Sequence, residues 1–173
     1  MRKAEFSVQL RLGASENNML AVLANLASSY EAVGQTERAL KLLKNVYARR
    51  LKLHGEEDER TLRAANNYAS SLHSFQREEA KALLRKGVPV ARRILGEGHR
   101  LTLKIRWIYA RALINAGGTL DDLREAVTTL VESERTARRV FGGAHPITEG
   151  IEAELQDARA ALRARETPPR TPG

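Results

Sequence analysis

The stretch LGEGHRLT at residues 95–102 decides the fold, because the chain contains related octets elsewhere. HGEEDERT occurs at 54–61, FGGAHPIT at 141–148, and a more diverged copy, LGASENNM, at 12–19. The glycine at the second position of each octet recurs at intervals of 42, 41 and 46 residues, at Gly13, Gly55, Gly96 and Gly142. A repeat of this length is typical of a protein that is built from stacked structural units.

The residues between the octets predict two helices per unit. Leu20, Leu23, Ala27 and Tyr30 follow the i, i+3, i+7, i+10 spacing of one face of a helix, and 39–46 repeats such a pattern. No segment shows the sustained alternation that marks a strand. We therefore expect each unit to contain two antiparallel helices, A and B. The octet then ends helix B with a glycine, turns, and starts the next helix A.

Small residues recur at fixed places in both predicted helices, where they allow two helix backbones to approach closely. They lie in the middle of helix A and early in helix B, at Ala27, Ala69, Ala110, Ala39, Ala80 and Ala126. This pair of positions favours tetratricopeptide repeats over HEAT or armadillo repeats of similar length. We predict an all-α fold, a tetratricopeptide-type α-solenoid of antiparallel helix pairs with about seven helices.

The motifs "NLA…Y", "A…LL" and "LG..H..T" in a 42-residue unit resemble the repeats of kinesin light chain. The resemblance covers roughly residues 12–155. The chain has no heptad segment of the kind that would join a kinesin heavy chain, and its third unit has about five extra residues at the A–B turn. The resemblance therefore predicts the type of repeat and not a role in motor transport.

The octets also define the expected organisation of the chain. Residues 1–12 match the end of a B helix whose A partner is missing, and the last unit has an A helix without a B helix. We expect a half-repeat at 1–12, three full repeats at 13–54, 55–95 and 96–141, a capping helix at 142–165 and a disordered tail at 166–173.

Composition narrows the classes of function. The chain has no cysteine, which excludes disulfides and cysteine-bound zinc, and no apolar run of about 20 residues that could span a bilayer. No catalytic or phosphate-binding motif is evident, and His99 and His145 occupy equivalent octet positions. We expect a cytoplasmic protein that is not an enzyme, with no cofactor and no metal site.

The concave face of such a solenoid is lined by A helices, and this face predicts the binding site. Asparagine carries both a donor and an acceptor and can hold a peptide backbone, while arginine and lysine attract carboxylates. The candidate peptide-binding residues are Asn25, Ser28, Arg63, Asn66, Asn67, Ser70, Lys104 and Arg111. The resemblance to kinesin light chain implies groove positions for Asn25, Asn66, Asn67 and Arg63. The competing interpretation is a solvated polar face, and Trp107 is expected in the core.

These features predict an adaptor module that binds a short, extended and acidic peptide. The net charge of +8 supports a rival, an electrostatic nucleic-acid-binding repeat protein, but acidic residues are interspersed and aromatic residues are few. A membrane partner is not expected. The apolar residues of the N-terminal half-repeat, Phe6, Val8, Leu10 and Leu12, raise the further expectation of self-association through that segment.

Overall fold

A computed structural model describes residues 2–72, 76–114 and 118–166, and it describes side chains from Ser15 onward. The described residues form seven α-helices and no strand, so the all-α prediction is confirmed. The helices are α1 (Arg2–Ala32), α2 (Thr36–His54), α3 (Glu59–Ser71), α4 (Arg77–Leu95), α5 (Arg100–Ile114), α6 (Leu120–Phe141) and α7 (Pro146–Glu166). None of these described helices combines the length and apolar character needed to cross a bilayer.

The order of helix contacts is that of a solenoid. Each helix packs against the next one along the chain, so α2, α4 and α6 act as B helices between the A helices α1, α3, α5 and α7. In addition, α3 contacts α5 and α5 contacts α7, while contacts of that extent are not found among the B helices as described. Because α3, α5 and α7 approach one another more closely than the B helices do, the A helices form the inner side of the curved stack in this part of the chain.

The recurring small residues lie where the helices meet. All six alanines named above are at most 3% exposed, and the leucines that follow in the B helices, Leu43, Leu84 and Leu130, are equally buried. They belong to one continuous hydrophobic cluster that extends from α1 to α7. The core is therefore built by close approach of helix backbones, with leucines filling the remaining space.

The octet ends one helix and begins the next in three of its four copies. Gly55, Gly96 and Gly142 have φ values of 79°, 90° and 85°, which glycine adopts without strain. The next helix is capped by the side chain at the fifth octet position: Asp58 accepts a hydrogen bond from the Arg60 N–H, and the Nδ1 atoms of His99 and His145 accept from Leu101 and Ile147. Repetition of the two histidines thus reflects helix capping.

The last residue of the octet bonds to the preceding B helix in two A helices, α3 and α5. Thr61 donates to the carbonyl of Arg50, and Thr102 donates to the carbonyl of Ala91, both at 3.2 Å. Thr148 occupies the same position and is fully buried, but its hydroxyl has no hydrogen-bond partner among the described residues. The three threonines are therefore equivalent in sequence and unequal in hydrogen bonding.

This difference predicts unequal costs for one substitution. We expect Thr102→Val to lower the free energy of unfolding by about 1 kcal/mol, because it removes a buried hydrogen bond. Thr148→Val should be neutral or stabilising to within about 0.5 kcal/mol, because it removes a hydroxyl that is already unsatisfied. Urea unfolding followed by circular dichroism measures both values. Equal losses in the two variants would contradict the assignment.

The first octet, at 12–19, does not form the expected turn. Helix α1 runs without a break from Arg2 to Ala32, so the prediction of a separate B-type helix at 1–12 and a repeat that starts at residue 13 was wrong. A glycine inside a helix costs only about 1 kcal/mol, and this copy has Met19 where the others have threonine. Glu16, at the capping position, instead accepts a hydrogen bond from Arg49 of α2 at 2.7 Å, and the next residue, Asn17, accepts from Arg50 and His54 at 2.8 Å each.

At the C-terminal end, α7 spans Pro146–Glu166, so the assignment of Glu166 to the disordered tail was wrong. The rest of the predicted tail, 167–173, lies outside the described residues. A capping box starts α6, with Thr119 and Asp122 each accepting from the backbone N–H of the other.

Candidate functional site

Two adjoining cavities follow the inner surface formed by the A helices. The first has a volume of about 590 Å³ and lies between α1, α2 and α3. The second has a volume of about 410 Å³ and lies between α3 and the start of α5. Arg63 and Asn67 line both cavities, so the two form one groove along the A helices. We refer to this pair of cavities as the inner groove.

Five of the eight candidate site residues line the inner groove. Asn25 lies in the first cavity, Asn66 and Lys104 lie in the second, and Arg63 and Asn67 belong to both. The remaining three, Ser28, Ser70 and Arg111, do not line either cavity. Ser28 donates to the carbonyl of Ala24 in its own helix, and Arg111 lies 3.5 Å from the hydroxyl of Ser70.

Asn66 and Asn67 are neighbours in sequence but differ in environment. Asn66 is 8% exposed, and its Oδ1 atom is buried without a hydrogen-bond partner among the described residues. Asn67 is exposed on the groove surface. A buried acceptor without a partner costs about 1–3 kcal/mol. Because this oxygen is closed off from solvent, a ligand in the groove would contact Asn66 through the part of its side chain that lines the second cavity.

The groove carries an excess of positive charge. Arg63 forms an ion pair with Glu59 one helical turn earlier, and both side chains are largely exposed. Among the groove residues that the structure describes, Arg60, Arg100 and Lys104 have no carboxylate within ion-pair distance. Unpaired cations beside a polar cavity provide a binding surface for anionic groups.

The floor of the first cavity contains a buried arginine. Arg50 on α2 is 9% exposed and donates to the side-chain oxygen of Asn17 at 2.8 Å. Burial, and to a lesser extent the positive charge of Arg60, lower the pKa of Arg50 from its usual range. The guanidinium remains charged near neutral pH, so it adds to the positive potential of the groove.

Some groove residues were missed by the sequence analysis. Arg60, His99 and Arg100 lie in the last four positions of their octets, which we interpreted only as turns between helices. Their side chains reach the groove because the end of the octet lies at the first turn of an A helix. The presence of basic residues at 60 and 100 in two copies of the octet was the available signal.

Two clusters of side chains fix the A helices α3 and α5 against their neighbours. The hydroxyl of Tyr109 donates to Glu125 at 2.6 Å and accepts from Arg85 at 3.0 Å, while Tyr68 donates to Glu79 at 2.6 Å. Burial and the glutamate partner raise the pKa values of both tyrosines. These bonds join α5 to α4 and α6, and α3 to α4, so they fix the positions of two of the A helices that line the groove.

Trp107 lies outside the groove. Its indole N–H donates to Glu154 of α7 at 3.0 Å, and its ring packs against Gly150. It therefore joins α5 to α7, in agreement with the expectation that it belongs to the core.

Comparison with known proteins agrees with this architecture. Residues 18–93 match the tetratricopeptide repeat family. No curated protein gives a significant match. A putative kinesin light chain with nearly identical TPR-like repeats from Podosopora anserina is 26% identical over 86% of this chain and 69% of that chain, with a TM-score of 0.75. A point variant of the same protein gives 26% identity, 86% and 68% coverage and a TM-score of 0.76.

A third structure, BtubC (BKLC) from P. vanneervenii, shares the fold at 14% identity, with a TM-score of 0.63 over 89% of this chain and 68% of that chain. A stack of tetratricopeptide repeats serves in general as a scaffold for protein–protein interaction. The octets, the buried alanine pairs and the structural matches lead to one conclusion: the chain has the fold of a tetratricopeptide-type α-solenoid, and its repeats are similar to those of kinesin light chain-like proteins.

Proposed function

We propose that the inner groove binds a short, extended and acidic peptide, and that the chain acts as a non-catalytic adaptor. The observation that carries this proposal is the set of three cations that line the groove, Arg60, Arg100 and Lys104, which have no carboxylate partner among the described residues. An extended peptide offers one N–H and one C=O per residue, so it can satisfy asparagine side chains without regard to its own sequence. Its acidic side chains would pair with these cations.

Each part of the groove has a distinct role in this proposal. Asn25 and Asn67 lie on α1 and α3 on either side of the first cavity and would hold the peptide backbone. Arg63 lies between the cavities, and Lys104 lies on the far wall of the second. Ser70 and Arg111 lie further along the A helices and would contact only a longer peptide, and Ser28 contributes least because its hydroxyl is bonded to its own helix.

The proposal predicts the behaviour of two groove variants. With acidic peptides selected from a display library of random short peptides, we expect Asn67→Ala to weaken binding about fivefold to tenfold through the loss of about one hydrogen bond. Lys104→Glu should weaken binding at least tenfold, because an attraction becomes a repulsion. Neither change should alter the melting temperature by more than about 1 °C, since both side chains lack structural hydrogen bonds among the described residues. Fluorescence anisotropy measures the affinities.

A matched control separates groove binding from general charge effects. Lys41→Glu changes the charge of the chain by the same amount on helix α2, at an exposed residue that lines neither cavity. This variant should bind the selected peptides as the parent chain does. Equal losses in Lys41→Glu and Lys104→Glu would contradict a localised groove.

The rival function, nucleic-acid binding, makes a different prediction about salt. Binding of any oligonucleotide through phosphate neutralisation falls steeply with salt concentration and is insensitive to Asn67→Ala. Binding of one acidic peptide depends on Asn67 and changes less with salt. Titration of a fluorescent oligonucleotide and a selected peptide over a range of salt concentrations distinguishes the two functions.

A further inference from the structure

Helix α1 presents an apolar stripe to solvent, on the side that faces away from α2. The stripe is formed by Met19, Val22 and Leu26 and is continued by Val33 directly after the helix, and these residues are 47%, 64%, 41% and 67% exposed. In the described part of the chain, half of the large apolar side chains that are exposed belong to this stripe. Clustering of this kind marks an interaction surface more often than scattered exposure does.

The same positions are buried in the other A helices. Thr61 and Thr102 correspond to Met19, Ala64 and Ile105 to Val22, and Tyr68 and Tyr109 to Leu26, and all six are at most 5% exposed. In those helices the face packs against the preceding B helix: Thr102 bonds to a carbonyl of α4, and Tyr68 stacks on Tyr47 of α2 with ring centroids 6.3 Å apart. The stripe on α1 is therefore a surface shaped for a B-type helix.

The chain contains a segment with the sequence of such a helix. Counting from the octets, Val8 corresponds to Ala91 and Ala137 and Leu12 to Leu95 and Phe141 in α4 and α6, whereas α2 has Arg50 and His54 at these positions. However, α1 continues straight through Gly13. Because residues 2–12 extend the same helix that carries the stripe, they cannot cover the stripe of their own chain.

We propose that two copies of the chain pair in antiparallel fashion through α1, so that residues 2–12 of each copy cover Met19 and Val22, the first part of the apolar stripe, of the other. A two-fold arrangement uses each surface twice and forms a closed dimer. Positions 8, 12, 15, 19, 22 and 26 follow the alternating spacing of four and three residues that a seam between paired helices requires. The dimer uses a face of α1 that is distinct from the inner groove.

The structure also indicates the centre of this pairing. Hydrogen bonds join Thr61 to Arg50 and Thr102 to Ala91. In each pair, the midpoint in sequence lies between the second and third residues of the octet. The same centre in the first octet falls at residues 13–14. If the two-fold axis of two antiparallel α1 helices lies near this point, residues 2–12 of one chain contact α1 of the other chain. This contact between chains has the same register as the contact between helices B and A within one chain.

Mass measurement provides the first test. Light scattering on the full chain at high concentration should give twice the monomer mass of 19.2 kDa. Val22→Glu buries a charge in the seam and should weaken the dimer at least tenfold. Val140→Glu adds the same charge at a residue of α6 that is 47% exposed and should leave the dimer intact. A monomer at every concentration, or equal effects of the two variants, overturns the proposal.

Cross-linking tests the antiparallel geometry, because the chain has no cysteine of its own. Ser15→Cys places a single thiol near the two-fold axis, and a short bismaleimide should link two copies. Ser29→Cys places the thiol near the other end of α1, where antiparallel pairing separates the two copies by about 45 Å at roughly 1.5 Å per residue. Efficient cross-linking at Ser29, or none at Ser15, contradicts the proposed arrangement. Both serines are exposed, so neither change should disturb the fold.

Discussion

Replacing Gly150 with alanine is expected to lower the free energy of unfolding by about 1–3 kcal/mol, although alanine is the better helix former. Gly150 lies inside α7, and a Cβ atom there would be less than 3.0 Å from three ring atoms of Trp107. The indole is also held by its hydrogen bond to Glu154 at 3.0 Å. The ring therefore cannot retreat without losing that bond, and α7 must move away from α5.

Gly87 provides the matched control for this substitution. It lies inside α4, and a Cβ atom there would meet no other atom within 4 Å. Gly87→Ala should therefore raise the free energy of unfolding by about 0.5–1 kcal/mol through helix propensity and a less flexible unfolded chain. Opposite signs in the two variants would show that the contact with Trp107, and not glycine itself, is responsible.

Two spectroscopic signals report the effect of Gly150→Ala on unfolding. Trp107 is the only tryptophan of the chain, so its fluorescence reports directly on the α5–α7 contact, while circular dichroism reports on the whole stack. Trp107→Leu in the Gly150→Ala background should recover part of the loss, because a smaller side chain makes room for the methyl group. Additive effects of the two substitutions would contradict a direct clash.

The repeat made most of the fold predictable from the sequence. Three of the four octets and the paired alanines indicated the helix pairs, because each depends on local chemistry: a glycine with positive φ, a capping side chain and close helix packing. The first octet misled us because Gly13 alone does not end a helix. The turn also needs the following residues, and the copy at 12–19 has Met19 in place of threonine.

The candidate site was less predictable than the fold. Helix periodicity indicated which residues lie on the inner face, and five of the eight candidates line the groove. Periodicity alone does not show how far a side chain reaches or what it binds, so Ser28 was assigned to the groove although its hydroxyl bonds to its own helix. The burial of Asn66 and the position of Arg100 in the second cavity depend on how α3 packs against α5, which the sequence of neither helix shows.

An ionic contact between the second and third repeats should be among the costliest to remove. Asp122 accepts from the ammonium group of Lys81 at 2.6 Å, and the two side chains are only 12% and 17% exposed. The same carboxylate accepts from the backbone N–H of Thr119 at 3.0 Å as part of the capping box of α6. One side chain therefore joins α4 to α6 and also starts α6.

We expect Asp122→Ala to lower the free energy of unfolding by about 2–4 kcal/mol. About 1 kcal/mol comes from the lost cap, and the rest comes from leaving Lys81 largely buried without its partner. Asp121 is the control, since its side chain is 92% exposed and 3.6 Å from Arg124. Asp121→Ala should cost less than about 0.5 kcal/mol. Similar losses for the two neighbours would mean that helix propensity, and not the Lys81 contact, is being measured.

The same contact should be visible in the dependence of stability on pH. The hydrogen bond from Lys81, followed by those from Thr119, lowers the pKa of Asp122 in the folded chain, and these bonds outweigh the opposing effect of burial. Because the folded pKa lies below the ordinary value of about 3.9, the contribution of Asp122 is complete above that pH. It is lost as the pH falls through the folded pKa, when the carboxylate takes up a proton.

Comparison of the parent chain with Asp122→Asn isolates this contribution, because asparagine keeps the shape of the side chain and removes its charge. The difference in free energy of unfolding between the two proteins should be constant from neutral pH to about pH 5 and should shrink as the pH falls from there below the ordinary aspartate value of about 3.9. Urea unfolding at each pH measures the difference. If it were the same near the acid end of this range as at neutral pH, the stabilisation would come from the shape and hydrogen bonds of the cap, and the charge of Asp122 would have no part in joining α4 to α6.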